Sequence, residues 1–366
     1  MKISFTATLS VHFPEFPTQS KVSNSINLQD LPPLWPLEMD FLHRRDRRFQ
    51  HLRLFPIRQK SIVMKTTFFH LHTIWLFTFS DLKTIILPST AFGVCTALSV
   101  SIEESSQNAS HYNAKHYIDV LSSVPKVMLW TWINLLPFAI NNQRQPEAIE
   151  EDAINKPWRV FPSGRLSPES AKTLMLFGFF MAIITSQVQG SSLQCLALIL
   201  LGFWYNNLNG SDCSFLVRNF INACGFVCFT SGAMQVAVGT SYSVLELHGW
   251  WYGIIAGIVF STVQMQDMYD QRGDAIRNRK TVPLVLGDGL ARWTIAVPVV
   301  MWCWLAPLLW NSSVFGFMLP VALGVTVAIR VLRRRTESED RKTFRLWNLW
   351  LVSIYLLPLV RAYECI

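Results

Sequence analysis

The sequence predicts an all-α integral membrane fold, a bundle of about nine transmembrane helices, and three observations carry that prediction. Hydrophobic residues fill 51% of the 366 positions and charged ones only 15%, where soluble domains carry about 25% charge. Mean hydropathy is +0.27. Apolar runs long enough to cross a bilayer, about 20 residues each, recur from residue 73 to residue 361. The basic residues gather in every second loop between those runs, a cytoplasmic-side bias. That pattern also accounts for the net charge of +8 as topology, with no nucleic-acid partner implied.

Residues 1–65 are polar, proline-bearing and basic, with the run His43-Arg44-Arg45-Asp46-Arg47-Arg48. They read as a partly disordered cytoplasmic extension, the arginines being topogenic or lipid-headgroup contacts. No secretory signal is expected, because one Lys and no long apolar core precede Pro14 and Pro17. Residues 66–366 form the membrane domain. Its expected spans are 73–100, 118–140, 170–189, 191–208, 217–240, 247–266, 291–310, 313–332 and 344–361. Prolines within them (Pro88, Pro137, Pro298, Pro307, Pro320) are tolerated where neighbours satisfy the freed carbonyl.

Arg and Lys crowd the loops after the second, sixth and eighth spans, whereas Gln189 to Ser192 and Asn311 to Ser313 have none. The N-terminus and the even-numbered exits are therefore expected in the cytosol and Ile366 in the lumen, which suits the endoplasmic reticulum. Asn108 and Asn311 then lie in lumenal glycosylation sequons, and Asn209 in a cytosolic one that stays unmodified. The seven cysteines show no CxxC pair or Cys/His ligand spacing, so they read as small buried hydrophobes.

Two charged loops face the same compartment. After the sixth span, Asp267, Asp270 and Asp274 stand at i, i+3 and i+7, one face of a continued helix. Arg272, Arg277, Arg279, Lys280, Thr281 and Pro283 accompany them. After the second span come Glu147, Glu150, Glu151 and Asp152, then Asn155-Lys156-Pro157-Trp158-Arg159 and Pro162-Ser163-Gly164-Arg165. A solvated helix end would explain either loop alone. Carboxylates for a hard cation beside Lys and Arg for phosphate oxygens, twice on one side, instead describe a diphosphate clamp.

The segment Asp152-x-x-Asn155-Lys156-Pro157-x-Arg159 with Pro162-Ser163-Gly164-Arg165 resembles the first motif of the UbiA superfamily of intramembrane prenyltransferases. Asp267-x-x-Asp270-x-x-Gly273-Asp274, with Thr281 and Pro283, resembles its second. The resemblance spans about residues 70 to 361. It implies a bundle around a central cavity, with two Asp-rich loops binding an isoprenyl diphosphate through Mg²⁺ at the cytosolic mouth. The first motif departs from the family form Asn-x-x-x-Asp-x-x-x-Asp: Ala148 and Arg144 stand where the middle acid and the Asn belong. Glu147, Glu150 or Glu151 are candidates for the missing oxygens, and Asn141 or Asn142 for the amide.

Its Asn-Lys-Pro-Trp-Arg wording resembles a fungal branch that includes membrane-bound terpene cyclases. The implied activity is cyclisation of farnesyl diphosphate to a sesquiterpene of bergamotene type, in terpenoid biosynthesis. The alternative is transfer of the prenyl group to an aromatic or alcohol acceptor. An acidic-mouthed channel or transporter is a third class, disfavoured because mid-span charges such as Lys126 are sparse. The expected catalytic residues are Asp152, Asp267, Asp270 and Asp274, which with Glu151 form the metal set. Lys156, Arg159, Arg165, Arg272 and Lys280 are the expected diphosphate cations. Asp274 has a second candidate role, positioning Lys280 or Arg277. Trp204, Tyr205 and Tyr269 are candidates for the aromatic wall near the mouth.

Overall fold

The computed structural model describes residues 55–107, 114–239 and 244–365. Expectations for the N-terminal arginine run and for Asn108 lie outside the described residues. All regular structure among the described residues is helical, and Gln59–Ile366 forms one compact unit. Six stretches are long and apolar enough to cross a membrane: Thr66–Glu103, Pro168–Val188, Phe215–Val238, Asp288–Leu309, Val314–Arg333 and Glu337–Glu364. The other three expected spans fall on helices outside those six: α3 (Ala114–Ser122) with α4 (Val124–Gln143), α7 (Ser192–Asn207) and α10 (Val244–Thr262). At 16 residues, α7 is short of a full crossing.

The first crossing is not one regular helix. α1 (Phe55–Thr78) tightens into a 3₁₀ turn at Phe79–Asp81 and opens into a π-helical turn at Leu82–Ile86 before α2 (Leu87–Gln107). Pro88 supplies a cause: it has no N–H for the Thr84 carbonyl and its ring crowds that group. The break brings Asp81, Thr84 and Ile85 to the wall of an internal cavity.

α9 (Phe215–Val238) lies at the centre, packed against α2, α4, α7 and α10. Small residues allow the close approach. A Cβ on Gly93 of α2 would sit 2.5 Å from the Ala233 carbonyl carbon of α9, and one on Gly232 would enter the Trp130 indole. With little hydrophobic force between helices in lipid, such backbone proximity is what makes packing favourable. α13 (Asp288–Leu309), α14 (Val314–Arg333) and α15 (Glu337–Tyr355) pack on one another, α13 also against α10 and α15 against α2. They are pinned at one end by Arg292, which bonds both Asp340 and Asp288 and the Val331 carbonyl. Thr336 caps α15 by accepting from the Glu339 N–H, and Glu337, Glu339 and Asp340 fill its first turn, where the helix dipole favours acids. Leu176, Phe177, Phe180, Leu196, Leu200, Trp304 and Phe315 point outward, the faces that lipid covers.

Short helices carry the two charged loops: α5 (Pro146–Asn155) after α4, and α11 (Gln271–Ile276) after α10. α6 (Pro168–Val188) follows the first loop; α8 (Gly210–Cys213) links α7 to α9, and α12 (Val282–Leu286) follows α11. The expectation that Asp267, Asp270 and Asp274 share one helix face is corrected. α10 ends at Thr262, a 3₁₀ segment runs Val263–Asp267, a turn follows, and Asp270 is the N-cap of α11. The change of pitch from 3.6 to about 3 residues per turn sends the three side chains to three different partners.

Candidate active site

A cavity of about 170 Å³ opens among α4, α5, α7, α9 and the break in the first crossing. One end is charged: Asp81, Glu151, Asp152, Lys156, Arg159, Arg218, Asp270, Arg277 and Arg279 all line it. The remainder is mostly apolar, with Ile85, Leu135, Phe138, Leu198, Ile221, Phe226, Phe229 and Phe344. The two loops are joined directly there. The Asn155 amide donates to the Asp270 carbonyl at 3.0 Å, and its Oδ1 accepts from the Gly273 N–H at 3.2 Å. Gly273 is required by that contact, because a Cβ would collide with the Asn155 amide group. Arg341 of α15 completes the join through the Asn155 carbonyl at 3.2 Å.

Each of Glu151, Asp152, Asp267, Asp270 and Asp274 has a cationic partner. Lys156 Nζ lies 2.7 Å from Asp270 Oδ2, and Arg159 Nη1 lies 2.7 and 2.9 Å from the two oxygens of Asp152. Arg218 reaches Asp267 Oδ1 at 2.9 Å and the Tyr205 hydroxyl at 2.6 Å. Arg279 binds Glu151 at 2.9 Å, Asp274 at 3.1 Å and Asp212 at 3.1 Å, while Arg277 bridges Glu151 and Asp212. Such pairing is what buried charges need to offset lost hydration.

Three carboxylate oxygens nonetheless stay buried without a partner: Asp267 Oδ2, Asp270 Oδ1 and Asp274 Oδ2. Burial raises the Asp267 carboxyl above its ordinary value despite Arg218. Burial, then the Asp267 charge, pushes Asp274 up to about 7 against the pull of Arg218 and Arg279. At Asp212 burial pushes upward, but Arg279 and Arg277 outweigh it and hold the carboxyl below its usual range. Burial would lower Arg159, yet Asp152 and Asp81 raise it. Among the described residues no three carboxylate, imidazole or thiolate side chains converge on one point to enclose an ion by themselves. The orphaned oxygens are hard donors on one short segment, a set that suits Mg²⁺ completed by substrate oxygens or water. A divalent cation there would reverse the upward shifts.

Glu151, Asp152, Lys156, Arg159 and Asp270 therefore meet at the cavity, with Asp267 and Asp274 buried behind its wall. Arg272 and Lys280 are exposed and stand outside the lining; Arg165 is half-buried, stacked over the Phe69 ring at 5.1 Å. Asp274 is paired with Arg279, not with Lys280 or Arg277. Tyr205 and Tyr269 line the cavity and Trp204 does not. Sequence reasoning missed Asp81, Asp212 and Arg218. The signal for Asp81 and Arg218 was a charge inside an apolar run; Asp212 lay in a short polar connector with nothing to mark it.

The fold and this site define a class, a polytopic helical protein with a charged pocket above an apolar cavity. The chain belongs to the UbiA prenyltransferase family, whose sequence profile matches residues 127–350, and it is a multi-pass membrane protein. It is 29% identical over 292 residues to fumagillin beta-trans-bergamotene synthase of Aspergillus fumigatus, covering 79% of this chain and 92% of that one. It is 25% identical to somaliensene A/B synthase of Streptomyces somaliensis, covering 80% and 93%. Among solved structures, that of a digeranylgeranylglyceryl phosphate synthase shares the fold with a TM-score of 0.50 at 15% identity, covering 79% of this chain and 98% of that one.

Proposed function

We propose that the protein is a Mg²⁺-dependent terpene cyclase that ionises farnesyl diphosphate and closes it to a sesquiterpene of bergamotene type. The observation that carries the reading is the juxtaposition in one cavity of a cation-rich acidic end and an aromatic, apolar remainder. Likeness to a bergamotene synthase along 79% of the chain supports the product class. Asp270, with Asp267 and Asp274 behind it and Glu151 and Asp152 beside it, would hold Mg²⁺, which would supply charge neutralisation for the diphosphate.

The chain's own groups do the rest. Lys156 and Arg159, with Arg218, Arg277 and Arg279, stabilise the diphosphate as the allylic C–O bond breaks and the electron pair leaves with oxygen. Phe138, Phe226, Phe229 and Phe344 exclude water from the cation, and aromatic faces add about 0.5–2 kcal/mol each by cation–π attraction. Ring closure then uses the substrate's own double bonds, and loss of a proton gives a neutral hydrocarbon. The basic loops support a mouth on the cytosolic side, in the endoplasmic reticulum membrane.

Membranes containing the protein, given farnesyl diphosphate and Mg²⁺, are expected to yield a volatile hydrocarbon detectable by gas chromatography–mass spectrometry without any acceptor. The family's name supports a second reading, prenyl transfer to an aromatic or alcohol acceptor. Consumption of diphosphate only when such an acceptor is present would establish that reading and sink cyclisation.

A further inference from the structure

Six residues of α9 line the cavity: Arg218, Ile221, Asn222, Gly225, Phe226 and Phe229. Offsets of 3, 4, 7, 8 and 11 from Arg218 are one stripe of a helix. Arg218 marks the charged end through its pair with Asp267. Gly225 is seven residues on, about 10.5 Å deeper along the helix axis.

Glycine weakens a helix interior relative to alanine, so its presence there asks for a reason. At Gly93, Gly232 and Gly324 the reason is a neighbour: the Ala233 backbone, the Trp130 indole, and Cys303 with Trp350. A Cβ on Gly225 would meet nothing within 4 Å. Gly249, Gly253 and Gly289 share that freedom, but they are exposed on the outer surface. The open space at Gly225 is the cavity itself. Gly202, the other glycine in the lining, is closed off by the Phe138 ring 3.1 Å from its would-be Cβ.

We infer that Gly225 is a specificity-determining residue for prenyl chain length, its missing side chain keeping the cavity wide where the far end of the tail passes. The inference rests on the reading above, with an isoprenyl diphosphate held at the Arg218 end. An isoprene unit contributes four carbon–carbon bonds of roughly 1.5 Å, about 5 Å of extended chain. The level of Gly225 is thus reached by the second unit of the tail, and the third lies beyond it. A side chain at this position obstructs a three-unit tail and spares a two-unit one.

The test uses the full chain in detergent with Mg²⁺ and compares wild type, Gly225→Ala and Gly225→Leu with geranyl and farnesyl diphosphates. Two readouts are taken: release of diphosphate, and the shift in thermal midpoint that each substrate produces. Gly225→Leu is expected to lower the farnesyl-to-geranyl ratio about tenfold or more, with the farnesyl-induced thermal shift lost and the geranyl-induced one kept. Because both substrates see one preparation, the ratio is independent of the fraction folded. Gly225→Ala, which favours the helix, is expected to move the ratio the same way by less, and it decides the matter should the leucine variant not fold. An unchanged ratio in both readouts, or equal loss with both substrates, overturns the inference alone. Failure of the wild type to bind or consume any prenyl diphosphate overturns the substrate reading and this inference with it.

Discussion

Replacing Arg218 with leucine tests whether the second charged loop is held by a charge supplied from inside an apolar helix. The Arg218 and Asp267 side chains are 6% and 1% exposed and 2.9 Å apart. Removing one partner of a buried pair costs about 3–5 kcal/mol, because the other charge is left uncompensated. Asp267 already sits above its ordinary carboxyl value through burial, so it can take up a proton when Arg218 is gone. That relief places the expected loss near the lower end, about 3 kcal/mol. In Arg218→Leu with Asp267→Asn no buried charge is stranded, and at least half of the stability is expected to return. Activity is not expected to return: both variants lose a group that, in the proposed mechanism, stabilises the departing diphosphate, and turnover is expected to fall by about 10²–10³. Denaturant unfolding in detergent and diphosphate release measure the two effects. A single variant as stable as wild type, or a double variant no more stable than the single, would refute the reasoning.

Other changes probe the rest of the site. Asp270→Ala, which frees Lys156 and removes an unpartnered oxygen, is expected to lower turnover about 10³-fold with membrane insertion unchanged; retained diphosphate release would remove it from the metal set. Gly273→Ala forces its Cβ into Asn155 and is expected to cost about 1–3 kcal/mol, with partial recovery when Asn155→Ala is added, both read from thermal midpoints. Asp274 has a folded-state value of about 7 against about 3.9 unfolded. The folded protein therefore holds that proton longer, and its stability falls as pH rises from about 4 to about 7, then levels off. A magnesium-free thermal midpoint that declines from about pH 5 to about pH 7, with a shallower slope in Asp274→Asn, is the expected result; equal slopes would exclude Asp274 as the source.

The helices were readable because lipid imposes length and apolarity, and each expected span falls on helix. The π-helical break before Pro88 was not, since a proline marks a constraint without saying how the backbone answers it. The pairing of the two charged loops was legible in their spacing, and Asn155, Lys156 and Arg159 meet Asp270, Asp152 and Gly273 as one site. Which cation serves which acid was not legible. Arg272 stands among the acids in sequence and Lys280 beside Arg279, yet both turn outward, while Arg218, 49 positions from Asp267, holds it. Those pairings depend on how α9 crosses α10, which local spacing does not encode. Likewise the helix-face argument assumed a constant pitch that the 3₁₀ segment at Val263–Asp267 does not keep.

The bonds from Asn155 and Lys156 to Asp270 join residues 115 and 114 positions apart, and this bears on biogenesis. Translation delivers α5 well before the helix that completes its charge pairs. Until α9 to α11 emerge, Glu151 lacks both of its arginines and Lys156 its acid, so the early loop stays hydrated at the membrane surface. Closure of the pocket is then coupled to insertion of the later helices, and a ribosome stalled near residue 240 would leave a chain with membrane helices but no site.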